Sequence, residues 1–188
     1  MSDRLFAELP AEVRLENVVG GLAPDSDQPM PAELLRSLPL AWQKIHALLG
    51  TEFNFDFWTK CKPRRSTYPA CRAVLAAGLQ DSYGPMVDAI QRAYYLRAMN
   101  PSDLVTLETL ADELGLDTNR FAADIRSADI DAELQQQIAL ARRSPIDGFP
   151  SLVLEQDGKM EFVRRDYRDH KPTLAHINAL LSGAQSVP

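Results

Sequence analysis

Apolar positions change their period twice along this chain of 188 residues. A scrap of helix, Arg4 to Leu9, is stopped by Pro10. Val13 to Val19 then sets Val13, Leu15, Asn17 and Val19 against Arg14, Glu16 and Val18. That alternation, closed by Gly20-Gly21, predicts a strand. Ala23 to Pro31 is rich in Pro, Asp and Ser and reads as a loop. Leu34, Leu35, Leu38, Trp42, Ile45, Leu48 and Leu49 follow at helical spacing up to Gly50, and Pro39 inside them predicts a kink or a break into two helices. Phe53, Phe55 and Phe57 alternate in a short extended piece beside Trp58.

Five further helices are legible. Pro69 to Ala77 is capped by Ser66 or Thr67 and closed by Gly78. Tyr83 to Met99 is amphipathic, and Leu104 to Leu114 follows a Ser102/Asp103 cap. Asn119 to Ile125 follows an Asp117 cap, and Asp129 to Arg143 runs up to Pro145. The pattern then returns to strand. Ser151 to Glu155 and Met160 to Arg164 flank a Gln156-Asp157-Gly158 hairpin turn, and Leu174 to Leu181 closes the chain as a helix. The order is an α/β frame split by a helical block, with segments at 1–28, 29–145 and 146–188.

Charge and composition narrow the classes. Hydrophobic residues make up 45% and charged residues 24%, enough for a core and too ordered a composition for a disordered chain. The formal net charge is -6 and the pI near 5.1, the wrong sign for a nucleic-acid partner. No apolar run reaches the ~20 residues of a membrane span, and the first residues carry no secretory pattern, so a cytoplasmic protein is expected. The three histidines have no zinc-ligand spacing, and no phosphate loop or Gly-x-Ser-x-Gly elbow is present. No metal or bound cofactor is expected.

The run Gly148-Phe149-Pro150-Ser151-Leu152-Val153-Leu154, followed by Asp157-Gly158 and a second strand, resembles the end of a thioredoxin-like frame. There the hairpin strand begins at a proline with a cis peptide. A thioredoxin-like frame interrupted by a helical block resembles the DsbA-like family. Arg64-Arg65-Ser66-Thr67-Tyr68-Pro69-Ala70-Cys71-Arg72-Ala73 and Ala89-Ile90-Gln91-Arg92-Ala93-Tyr94-Tyr95 are similar to the insert of its predicted cytoplasmic protein-disulfide isomerase branch. The likeness covers nearly the whole chain. It implies a thioredoxin-like frame with a large all-helical insertion, and a thiol-disulfide oxidoreductase or protein-disulfide isomerase acting on protein or peptide thiols and disulfides.

The departure from that family is specific. Its chemistry rests on a Cys-x-x-Cys motif placed after a first strand and at the start of the first helix. These 188 residues contain no such motif. Arg4 to Leu9 would be the tail of that helix, so a strand, a redox turn and part of a helix are missing, on the order of twenty residues. The expectation is a fold whose first central strand is missing, a truncated and redox-incompetent chain, and an open strand edge that could support a homodimer.

Several residues remain as candidates. By resemblance, Gly148, Phe149 and Pro150 would grip an extended substrate; the plainer reading is a loop leading into a strand. Arg64, Arg65 and Ser66, within a basic run from Lys60, could hold an anion such as a glutathione carboxylate. Alternatively, that run is a solvated patch or a set of helix ion pairs. Cys61 and Cys71 are candidate secondary thiols, the latter beside Arg72, which would lower its pKa. The other reading is two ordinary cysteines, one buried as a small apolar residue. Two further functions stay open: a glutathione-dependent isomerase or transferase, and a peptide-binding module without chemistry.

Overall fold

A computed structural model describes residues 2–183, apart from the side chains of Ser2 and Asp3. Nine helices and one hairpin are present among them, in the order α1 (Ser2–Ala7), α2 (Ala32–Leu49), α3 (Phe57–Lys60), α4 (Tyr68–Gly78), α5 (Tyr83–Leu96), α6 (Leu104–Glu113), α7 (Thr118–Asp124), α8 (Ala128–Arg143), β1 (Leu152–Gln156), β2 (Lys159–Val163) and α9 (Lys171–Leu181). Two compact units result. One joins the chain up to Gly20 with the chain from Gln137, and the other is the continuous stretch Gly21–Gln136. The division falls at 20 and 136 rather than at 28 and 145. The loop after Gly21 is tied to α4, where Ala23 N–H donates to Thr67 Oγ1 at 2.9 Å and Thr67 N–H donates to the Ala23 carbonyl at 3.0 Å.

In the first unit, β1 and β2 pair antiparallel, with Leu152 opposite Val163 and Gln156 opposite Lys159. Asp157 and Gly158 both have positive φ, at 52° and 75°, which a two-residue hairpin turn with the right twist requires. The period of two then sends Leu152 and Leu154 to one face, where they pack with Leu5, Val163 and Ile177, joined by Leu174 and Leu181 of α9. Glu8 and His170 link the two ends of the chain through a 3.0 Å contact.

Val13–Val19 departs from the expected strand. No ladder forms along it among the described residues, because a strand exists only beside a partner and none lies there. Its ends are held otherwise. Val13 N–H donates to the Pro10 carbonyl at 2.9 Å, and Val19 N–H donates to Gln137 Oε1 at 2.9 Å. The outer edge of β1 is likewise unpaired among the described residues.

In the second unit, α4 packs closely on α5, and α6 and α7 pack on that pair. Ala73, Ala76 and Ala77 of α4 and Ala93 of α5 are all fully buried, and their small side chains let the backbones approach. Leu107, Leu110 and Phe121 fill the space beyond them. Phe53 and Phe55 form no strand; with Phe57 they surround Trp42. The Phe53 ring stacks on Trp42 with centroids 4.9 Å apart, while Trp58 and Tyr94 meet it edge-on. Pro39 neither breaks α2 nor divides it: one helix of 18 residues runs through it. No helix among the described residues is long and apolar enough to cross a membrane.

Candidate functional site

The loop leading into β1 is the most exposed apolar feature of the first unit. Gly148, Phe149 and Pro150 are all exposed, Phe149 at 50%, and the Phe149–Pro150 peptide bond is cis. The loop is braced by Ser151, whose hydroxyl donates to the Gly148 carbonyl at 2.6 Å. Phe149 does not simply stand in solvent. One edge of its ring covers Gly20, and a side chain at that position would collide with it. Gly20 was legible only as the end of a predicted strand; its role as the seat of Phe149 left no local pattern. The loop therefore presents an aromatic ring, a rigid backbone and the open edge of β1 side by side, and carries no acid, base or nucleophile of its own.

The basic run divides when its partners are drawn. Arg64 donates through Nη2 to the Ser102 carbonyl and to Asp103 Oδ1, both at 2.6 Å. Asn100 Nδ2 donates to the other oxygen of Asp103 at 3.0 Å, so this carboxylate is shared rather than left to cap α6. Ser66 is buried, and its carbonyl accepts from the Ser102 hydroxyl at 2.7 Å. Lys60 pairs with Asp56 one helical turn away. Arg65 alone of the three candidates is exposed with no side-chain partner among the described residues. Arg72, which the sequence had suggested only as a neighbour of Cys71, makes a two-pronged contact with Asp25 at 2.7 and 2.9 Å and reaches Asp131 at 3.4 Å. Between these pairs runs an open groove of about 660 Å³, lined by Asp25, Arg64, Arg72 and the first turn of α6.

Cys61 and Cys71 are both free thiols. Burial pushes the Cys61 thiol above its ordinary value, and Asp103 adds to the effect. Cys61 Sγ donates to the Ala98 carbonyl at 3.0 Å. Cys71 was expected to be acidified by Arg72, and the balance goes the other way. Burial raises it, and the opposing effects of a hydrogen bond with the Gly21 backbone and of Arg72 are smaller. The guanidinium is engaged by Asp25 and Asp131, so its field at the sulfur is largely spent. Thiols held protonated are poor nucleophiles. Tyr94 and Tyr83 are pushed up to about 12, chiefly by burial, and serve as packing groups rather than acids or bases.

The comparisons with known proteins now bear on this geometry. Residues 13–168 match the DSBA-like thioredoxin domain family, and the chain belongs to that family. A crystal structure described as a "putative protein disulfide isomerase" from Nitrosomonas europaea is similar over 85% of this chain and 79% of its own, with 25% identity and a TM-score of 0.73. The cytosolic disulfide reductase DsbM from Pseudomonas aeruginosa shares the fold over 96% of this chain and 90% of its own, with 24% identity and a TM-score of 0.73. The structure of DsbM with GSH superimposes over 95% of this chain and 89% of its own, at 24% identity and a TM-score of 0.72. No curated protein matches the sequence. The DsbA-like thioredoxin fold with a helical insertion, expected from the proline loop and the helical block, is thus the fold of this chain.

Proposed function

We propose that this protein serves thiol-disulfide exchange on protein or peptide substrates in the cytoplasm, with Gly148, Phe149 and Pro150 gripping an extended segment of the substrate. The observation that carries the reading is the Phe149–Pro150 loop, half-exposed and cis, set at the head of a strand whose outer edge is open. In such exchange a thiolate attacks one sulfur of the substrate disulfide, the S–S bond breaks, and the other sulfur leaves as a thiolate. A second thiolate then displaces the substrate from the mixed disulfide. Neither Cys61 nor Cys71 suits the first role, so the 188 residues alone are redox-incompetent and lack the Cys-x-x-Cys element. The unpaired stretches at Val13–Val19 and along β1 support a truncated frame that a further strand would complete.

Insulin reduction with dithiothreitol as electron donor tests this. The 188-residue chain gives no rate above the reductant alone. A fusion supplying an N-terminal strand with Cys-x-x-Cys accelerates it, and Phe149→Ala in that fusion raises KM. A folded fusion with no activity overturns the assignment and leaves a peptide-binding module.

A glutathione-dependent reading has one support, the GSH-bound structure among the similar folds. Arg65 is the exposed cation available for a carboxylate, whereas Arg64 is already neutralised by Asp103. Calorimetric titration with glutathione decides it: binding lost in Arg65→Ala sustains a transferase or isomerase, and no heat at millimolar glutathione removes it.

A further inference from the structure

We infer that α2 is a self-association face, pairing antiparallel with α2 of a second copy about a twofold axis near Ala41. Of its 18 residues only Trp42 is buried, and that ring anchors the helix to the aromatic cluster. The rest of the apolar stripe has nothing over it. Leu35 and Ile45 are 38% exposed, Leu48 67% and Leu49 62%. The stripe contains Leu34, Leu38, Ala41, Ile45 and Leu48, which recur at steps of four and three, the spacing of a helix-pairing seam.

The seam fits a copy of itself. Reversing the helix about Ala41 lays Leu34 on Leu48 of the second copy and Leu38 on Ile45, with Ala41 meeting its own counterpart where a small residue lets the axes approach. The polar flank then sets Ser37 against Lys44, so no charge faces its own kind. Twofold pairs of this isologous type are the commonest form of association.

Area supports the same occupant. With Phe55 and Tyr95, which are 37% and 38% exposed beside Trp42, the patch amounts to on the order of 600 Å². That is the upper end of what a monomer ordinarily exposes. Doubled across a twofold axis it reaches about 1,200 Å², the threshold of a stable interface. A bilayer surface suits the helix less well. Its polar face mixes Glu33 with Arg36 and Lys44 rather than concentrating cations, and the chain carries a net charge of -6.

Sedimentation equilibrium of the full chain tests the pairing. The wild type sediments as a dimer at about 10 μM, and Leu48→Arg and Leu34→Glu each weaken dimerisation at least about tenfold. The double variant regains most of that loss, because the new charges face each other across the axis. Leu40→Glu changes nothing, although Leu40 is 62% exposed on the same helix, because it lies off the seam. Circular dichroism confirms that each variant is folded, as substitution at exposed positions should leave it. A monomeric wild type at ~100 μM overturns the proposal. So does equal loss with Leu40→Glu, a folded double variant without recovery, or a monomer that instead binds anionic phosphatidylserine vesicles.

Discussion

The ring of Phe149 occupies the space that a side chain at residue 20 would fill, so Gly20 and Phe149 are packed as one unit across the start and the end of the frame. Gly20 needs no unusual backbone there; what it supplies is the absence of a Cβ. Gly20→Ala must therefore turn the half-exposed ring outward. The ring can swing, so the cost is modest, about 1 kcal/mol. A double-mutant cycle with Phe149→Ala in urea denaturation should show that cost disappearing once the ring is gone. An undiminished cost in the Phe149→Ala background would break the link between them. In the redox-competent fusion, Gly20→Ala should weaken substrate binding as Phe149→Ala does.

The buried phenols give the fold an alkaline limit. Tyr83 and Tyr94 titrate at about 12 in the folded protein against an ordinary value of 10.0. A raised pKa means that the folded state holds its proton longer than the unfolded chain. Its stabilising contribution is complete below pH 10 and is lost as pH rises through 12. The melting temperature should fall over that window, and Tyr94→Phe should flatten the fall. An unchanged slope in Tyr94→Phe would remove Tyr94 as a source.

The same sign governs the thiols. Cys61 and Cys71 lie above the ordinary thiol value, so both should react with iodoacetamide more slowly than a free cysteine at pH 7.5. Cys71 should slow further in Arg72→Ala, because the cation that partly offsets its burial is lost. Mass-resolved alkylation kinetics separate the two sites, and a fast thiol at either would contradict this account of their surroundings.

Two hydroxyl- or carboxylate-bearing residues ahead of helices do different work. Asp117 accepts from Arg120 N–H at 2.9 Å and caps α7. Asp117→Ala should cost about 1 kcal/mol, and Asp117→Asn only a fraction of that. Thr67 precedes α4 but gives its hydroxyl to both backbone groups of Ala23. Thr67→Val should instead loosen the 21–30 loop, read as faster amide exchange at Ala23 with α4 unchanged, and Thr67→Ser should restore protection.

Residues that act on near neighbours were readable in advance. The Asp157-Gly158 turn, the Asp117 cap and the small residues of α4 follow from local geometry. What failed had its cause at a distance or in a competitor. Val13–Val19 has strand periodicity, yet periodicity cannot supply the neighbour that a ladder needs. Pro39 forfeits one hydrogen bond, and the helix on either side outweighs it. Thr67 and Asp103 look like caps, but Ala23 and Arg64 claim their oxygens first. At the candidate site the proline loop announced itself by its sequence, while Gly20, more than a hundred residues away, could not.

The contact between Leu5 and Ile177 binds the two ends of the chain into one core. On the ribosome that core waits until the last helix has emerged. The continuous stretch Gly21–Gln136 has all its partners much earlier. Synthesis therefore imposes an order in which the helical unit is already protease-resistant on the nascent chain while the frame around it is still unfinished.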